Sequence, residues 1–92
     1  MLTTDTFIKK NDRVPYRIIE GEAILVNVKS GEVIHLNEVG AAIWSFLEGE
    51  KKISQVVNHI CENFEIDEKT TREDTLEFIQ SLLNNGLVVC DG

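Results

Sequence analysis

The sequence predicts a small α+β domain in which a three-stranded antiparallel sheet is followed by three helices, an order typical of winged helix-turn-helix folds. Three observations support this prediction. The apolar residues between Val14 and Leu36 recur with the period of two that β-strands show. From Asn37 onward the apolar period changes to about 3.6, the period of an α-helix. The length of 92 residues limits the chain to one domain with one hydrophobic core.

Three short strands are expected before the first helix. The first covers Val14–Ile19, where Pro15 restricts the segment to a strand start or to the edge of a sheet. The second covers Ala23–Val28 and the third covers Glu32–Leu36, and both are rich in β-branched residues. Because the connecting turns are short and contain glycine, the three strands are predicted to form an antiparallel meander.

The residues before the first strand are mostly polar, with Phe7 and Ile8 isolated among them. Such a segment shows neither the strand period nor the helix period, as is typical of loops and tails. We therefore expect a flexible N-terminal arm over residues 1–13 and a folded domain over residues 14–92.

Three helices are expected after the sheet. The first begins after Asn37, whose side chain can accept a hydrogen bond from the first helical turn, and it ends at Gly49. The second begins at Ser54, which can serve as its N-cap. The third begins at Thr70 or Thr71, because each has an acidic residue three positions later, as in a capping box.

The third helix is expected to end near Asn85. Gly86 can adopt the left-handed backbone conformation there, and Leu87 can then fold back on Leu82 in a Schellman motif. The final apolar residues, Leu87–Cys90, are expected to form a short extended segment.

The net charge of −7, from nine basic and sixteen acidic residues, limits the partners of the domain. Binding to phosphate backbones or to anionic membranes needs clustered Lys and Arg, so no nucleic-acid and no membrane partner is expected. No apolar run reaches the ~20 residues that span a bilayer, and no secretory signal is apparent. The expected location is therefore cytoplasmic.

No residue pattern of an enzyme or of a metal site is present. The chain lacks a serine–histidine–aspartate arrangement, a glycine-rich phosphate loop and the HExxH pattern of zinc hydrolases. Cys61 and Cys90 do not form a CxxC pair and are interpreted as structural thiols. His35 and His59 are too few to complete a zinc site. We expect no catalytic residue, no bound metal and no cofactor.

The position of the third strand favours a role in binding a peptide or a protein. This strand comes last in the predicted meander, so one of its sides has no predicted partner. An open edge can accept an added strand through main-chain hydrogen bonds. The residues proposed for strand addition are Val33, Ile34, His35 and Leu36.

The third helix offers a second binding feature. Its apolar face covers an arc of about 160°, which is wider than one contact with a core requires. The members of the arc are Phe78, Leu82, Thr75 and Ile79, with Leu83 and Leu76 extending it. The extra residues either pack under the sheet or line a groove beside the third strand. The wall proposed for such a groove consists of Leu76, Ile79, Gln80 and Leu83. Glu73 and Glu77 are proposed to select basic residues of a bound peptide.

Two other functions stay open at this point. A winged-helix transcription regulator would place its third helix in the major groove of DNA. The exposed residues of that helix include Glu73, Asp74 and Glu77 against Arg72 alone, so a larger assembly would have to supply the basic contacts. The other alternative is a structural protein-interaction domain.

Three segments carry a resemblance to a known family. The run HLNEVGAAIWSFLEG at residues 35–49 is followed by ISQVVNHICENFEID and then by FIQSLLNNGLVV. The most specific parts are the block L-N-E-x-G-A-A-I-W at residues 36–44, Gly49, and the pattern L-x-x-x-G-L at residues 82–87. Over residues 14–89 the chain resembles the PqqD family of pyrroloquinoline-quinone (PQQ) biosynthesis and its relatives, the recognition elements of ribosomally made modified peptides (RiPPs).

The resemblance implies a winged-helix-like, non-catalytic domain that acts as a peptide chaperone. The leader of a precursor peptide would add beside the third strand and rest against the third helix. The complex would then present the peptide to a modifying enzyme, often a radical S-adenosylmethionine protein, which supplies the catalysis.

One stretch of the sequence departs from the family pattern. Members devoted to PQQ carry a Pro-Glu pair between the second and third strands, where this chain reads LVNVKSGEVIHLN. The resemblance therefore favours the broader peptide-recognition role over PQQ biosynthesis. For the oligomeric state, the expectation is a monomer or a weak dimer that pairs through the open edge.

Overall fold

The computed structural model describes residues 2–91, which contain six strands and three helices. In chain order these are β1 (Phe7–Lys10), β2 (Tyr16–Ile19), β3 (Glu22–Val26), β4 (Val33–Leu36), α1 (Glu38–Phe46), β5 (Lys51–Lys52), α2 (Ile53–Asn63), α3 (Glu68–Asn84) and β6 (Val88–Asp91). The strands form two antiparallel sheets, with orders β2-β3-β4 and β5-β1-β6. Within this described range no helix is long and apolar enough to cross a membrane.

The first sheet confirms the predicted α+β class and the antiparallel meander. Its central strand is β3, which pairs with β2 on one side and with β4 on the other. Ala23 and Leu25 of β3 have no exposed surface, so the face that carries them covers the core. β3 ends before the predicted Val28, because the side chain of Asn27 accepts a hydrogen bond from the Lys29 amide and begins the turn.

The second sheet corrects the expectation of a flexible N-terminal arm. Residues 7–10 form β1, the central strand of this sheet, with β6 and β5 as its neighbours. Ile8 of β1 has no exposed surface and belongs to the core. The arm prediction is therefore wrong for these residues, because pairing partners far along the chain make a strand of a locally polar segment. Met1 and Gly92, the outer limits of the predicted arm and domain, lie outside the described residues.

The helices follow the sequence prediction with shifts at two starts and at the end of α1, which is Phe46 rather than Gly49. Asn37 caps α1, and its side chain accepts a hydrogen bond of 2.9 Å from the Gly40 amide. α2 begins at Ile53, one residue before the predicted Ser54. α3 begins at Glu68 rather than after Thr70 or Thr71, because Asp67 takes the N-cap position.

The Schellman motif at the end of α3 is confirmed. Gly86 has a φ of 72°, in the left-handed region that favours glycine. Its amide donates to the Leu83 carbonyl over 3.1 Å, and the Leu87 amide donates to the Leu82 carbonyl over 2.9 Å. This turn directs the chain from α3 into β6.

The core lies between the inner face of the first sheet and the three helices, and Ile8 and Val88 of the second sheet complete it. Trp44 of α1 is fully buried and meets the Tyr16 ring edge-on at 5.5 Å between centroids. The Lys10 ammonium lies 4.7 Å from the Tyr16 centroid and forms a 3.0 Å ion pair with Glu48. This cluster therefore ties β1 to β2 and to the end of α1.

Candidate functional site

A groove of about 380 Å³ lies beside the C-terminal end of β4. One wall comes from His35 and Leu36 of β4 and from the first turns of α1, and the facing wall comes from the N-terminal half of α3. The lining is mostly apolar, and its apolar members from α1, α2, the α2–α3 link and α3 are Val39, Ile43, Ile60, Ile66 and Phe78. This composition suits the apolar side chains of a ligand.

Gly40 brings the two walls of the groove together. A Cβ atom added at this glycine would lie 3.2 Å from Cζ of the Phe78 ring and 3.2 Å from Cβ of Leu36. The absence of a side chain thus lets the start of α1 lie against both α3 and β4. The same glycine belongs to the L-N-E-x-G-A-A-I-W block, so that block serves the close packing that shapes the groove.

The free edge of the first sheet runs alongside this groove. Within the described residues, β4 pairs with β3 alone. The Asn27 amide donates to the Glu32 carbonyl over 2.9 Å, which makes residues 27 and 32 a hydrogen-bonded pair. Because such pairs alternate along an antiparallel ladder, the N–H and C=O groups of Val33 and His35 point away from β3. Two residues of β4 therefore present unpaired main-chain groups to an added strand.

The α3 wall adds polar groups to the apolar lining. Thr71 is 3% exposed, and its hydroxyl has no hydrogen-bond partner among the described residues. Asp74 is exposed and lies at the rim. A shallower groove continues along α3 between Asp74, Glu77, Phe78 and Ser81. The groove is therefore acidic along its α3 side, and it combines an apolar floor with an open strand edge.

The structure divides the residues predicted for the site into two groups. His35 and Leu36 line the groove, and Val33 and Ile34 complete the edge strand beside it. Glu77 lines the shallower extension along α3, whereas exposed Glu73 lines neither groove.

The predicted helix wall lies on other faces of α3. Ile79 is fully buried in the core, and Leu76 and Leu83 pack against the core as half-buried residues. Gln80 is exposed, and its side-chain amide donates to the Asn84 side chain over 2.9 Å. None of these four lines the groove, whose α3 wall is the opposite flank of the buried stripe, the one that carries Phe78.

Sequence reasoning missed most of the lining residues. Phe78 and Thr75 lay inside the predicted apolar arc, which was the available signal for the flank that borders the groove. Val39 and Ile66 gave no comparable signal, because their role depends on how α1 and the α2–α3 link approach α3.

Within residues 2–91, no three His, Cys, Asp or Glu side chains cluster as ligands for a metal ion.

The cap of α3 makes the groove wall sensitive to acid. The Asp67 carboxylate accepts a hydrogen bond of 3.0 Å from the Thr70 amide, and this backbone bond, followed by a side-chain bond from Thr70, lowers the pKa of Asp67 below its ordinary 3.8. A lowered pKa in the folded state contributes stability above the unfolded pKa. That contribution is lost as the pH falls through the folded value.

We expect the Asp67→Asn variant to lose this acid-dependent share of stability. Asparagine still caps the helix but does not titrate. Between about pH 5 and about pH 2 the free energy of unfolding in urea should therefore fall more steeply for the wild type than for the variant. Asp12→Asn, a change at an exposed aspartate outside any helix cap, is the control and should leave the steeper slope in place. Equal slopes for the wild type and Asp67→Asn would contradict the expectation.

Comparisons with known proteins add two findings. The model of the family described as coenzyme PQQ synthesis protein D (PqqD) matches residues 22–88. The solved structure of TbiB1 in complex with the TbiA(beta) leader peptide is similar to this chain, with 32% sequence identity and a TM-score of 0.79. The similarity covers 87% of this chain and 93% of TbiB1. No curated protein matches the sequence.

Proposed function

The chain belongs to the PqqD family, and from this premise we propose that it is a non-catalytic RiPP recognition element. It binds the leader of a ribosomally made precursor peptide and presents that peptide to a modifying enzyme. The observation that carries the proposal is the free edge of β4 beside an apolar groove. The likeness to TbiB1, which was solved with a leader peptide, supports the same role.

The leader would add to the first sheet as a fourth strand. The unpaired main-chain groups of Val33 and His35 are available for ladder hydrogen bonds, which hold a peptide largely independently of its sequence. Every second side chain of the added strand would then point toward the groove. Leu36, Val39 and Phe78 offer apolar surface to those side chains, so pocket contacts provide the sequence preference.

Acidic groups on α3 favour a basic residue in the leader. Asp74 and Glu77 lie along the groove and its extension, and both are exposed. An opposite charge on the peptide would speed encounter and penalise acidic competitors. In this proposal Glu77 selects basic leader residues, as predicted from the sequence. Asp74 is the second selecting residue, and Glu73 acts only through its more distant charge.

The enzyme partner supplies the chemistry in this proposal. A radical S-adenosylmethionine protein is one enzyme of this kind. The same acidic α3 surface disfavours the alternative of a DNA-binding regulator, because Asp74 and Glu77 would face the phosphates.

A titration of ¹⁵N-labelled protein with the leader of its precursor peptide tests the proposal. We expect amide shifts concentrated in residues 33–36 of β4 and residues 71–78 of α3, because these segments form the edge and the groove. Duplex DNA is the matched control ligand and should leave both segments unmoved. Shifts of α3 with DNA, without shifts of β4 or α3 at saturating peptide, would refute the recognition role.

The main-chain part of the proposal predicts different effects for two substitutions of Val33. Val33→Pro removes an N–H that faces the free edge, and a proline at such an edge position leaves the ladder to β3 intact. Loss of one hydrogen bond of about 0.5–1.5 kcal/mol should weaken leader binding roughly two- to tenfold in calorimetry. Val33→Ala keeps the N–H and controls for the lost side chain. Equal affinities of the two variants, both folded by circular dichroism, would count against strand addition.

A further inference from the structure

The second sheet carries a charge opposite to that of the chain as a whole. Strands β5, β1 and β6 together contain four lysines and one aspartate, although the net charge of the protein is −7. Lys10 is largely enclosed by its ion pair with Glu48 and by the Tyr16 ring. Lys9 is exposed and Lys51 and Lys52 are half-exposed, so positive charge is concentrated on a small part of an acidic surface.

The strand register sets which of these side chains share a face. Phe7 pairs with Lys52 and Lys9 pairs with Val89, and paired residues of an antiparallel ladder point to the same side. Phe7 and Lys9 also share a side because they are two positions apart, opposite to buried Ile8. Phe7, Lys9, Lys52 and Val89 therefore form one outward surface, which we name the basic sheet face. The register also pairs Phe7 with Asp91 of β6, which is the one acidic position of the three strands.

The basic sheet face combines lysine side chains with apolar surface. Phe7 is 37% exposed and Val89 is 39% exposed. The Lys52 ammonium lies 5.4 Å from the Phe7 ring centroid. Among the side chains that the structure describes, the ion pairs are Lys10–Glu48 and Arg72–Glu68, so none of the described carboxylates lies within 4.0 Å of Lys9 or Lys52. An apolar centre with charged neighbours is the composition of a protein-contact surface.

The basic sheet face is separate from the groove. No residue of β1, β5 or β6 lines the groove or its extension along α3. A partner on this face would therefore leave the edge of β4 and the groove free for a peptide. Two ligands can be held at once, as a domain that delivers a peptide to another protein requires.

We propose that the basic sheet face docks an acidic surface, with an apolar centre, on the enzyme that receives the bound peptide. This inference rests on the proposed function. The choice of an acidic partner surface rests on charge complementarity. The basic sheet face attracts an acidic enzyme surface, whereas the remaining acidic surface of the chain repels it. This uneven distribution of charge orients the enzyme as it approaches, so that it contacts the second sheet while the peptide stays bound to the first sheet.

The test measures by calorimetry the affinity of the protein for the enzyme that modifies its precursor peptide. The double variant Lys9→Glu/Lys52→Glu should bind the enzyme at least about tenfold more weakly, and added salt should weaken wild-type binding. Arg17→Glu/Lys29→Glu is the matched control, because it makes the same change in net charge at exposed positions of the first sheet and its turn. The control should retain wild-type affinity within about twofold.

Leader-peptide affinity, measured in the same proteins, separates this inference from the proposed function. We expect equal peptide affinity in the wild type and in both double variants. This inference alone would be overturned if the Lys9/Lys52 variant bound the enzyme as tightly as the wild type does while both proteins bound the peptide. An equal loss in the control variant, or no enzyme binding by the wild type, would also overturn it. Failure of the wild type to bind the peptide would contradict the proposed function itself.

Discussion

Replacing Ile8 with alanine is expected to lower the free energy of unfolding by about 2–5 kcal/mol. Ile8 has no exposed surface and lies on β1, between Lys51 of β5 and Cys90 of β6. Truncating it leaves a cavity where the second sheet meets the core. Since a domain of this size has a total stability of roughly 5–15 kcal/mol, a large part of the folded margin would be lost.

Denaturation in urea measures this effect directly. Lys9→Ala is the matched control, because Lys9 is the next residue of the same strand and its side chain points outward. The control should change the free energy of unfolding by no more than about 0.5 kcal/mol. Similar small effects of both substitutions would mean that residues 7–10 form the flexible arm that the sequence first predicted.

Replacing Val39 with tryptophan is expected to weaken leader binding by more than about tenfold, which corresponds to about 1.4 kcal/mol. Val39 is half-buried in the first turn of α1 and lines the groove. The indole would extend into the groove of about 380 Å³ and occupy space that the proposed peptide needs. Because the groove is open, the larger side chain can enter it without displacing the core.

Ser45→Trp provides the comparison for this substitution. Ser45 is exposed on the same helix and does not line the groove, so its replacement should leave peptide affinity unchanged. Thermal unfolding of both variants checks that the fold is retained. Wild-type affinity in a Val39→Trp protein with a wild-type melting temperature would show that the leader does not use this groove.

Local signals in the sequence were enough to predict the first sheet, the start of α1 and the end of α3. Asn37 caps α1 through a contact with Gly40, three residues away, and Gly86 ends α3 through bonds that span a single turn. The meander likewise depends on short turns between neighbouring strands. Features that are determined by residues close together in the chain can be predicted from one sequence.

β1 and the flank of α3 that borders the groove depend on distant residues and could not be predicted in this way. β1 pairs with the two-residue strand Lys51–Lys52 and with the C-terminal strand, and neither pairing leaves a mark in the sequence of β1. On α3, the apolar arc includes both Phe78 and Leu83. Only the packing of α1 against α3 at Gly40 determines that the Phe78 flank borders the groove.

The pairing of β1 with β6 has a consequence for how the chain is made. β1 is synthesised before the other elements of this domain, and its main partner strand, β6, is synthesised last. Ile8 therefore has no partner strand on that side until almost the whole domain has emerged from the ribosome. During that interval the apolar side chain of Ile8 is exposed to other nascent chains. Lys9 and Lys10 follow Ile8 directly, and charged residues in such positions discourage aggregation. The lysines that make β1 resemble a polar loop in the sequence would thus protect the chain from aggregation until its second sheet has formed.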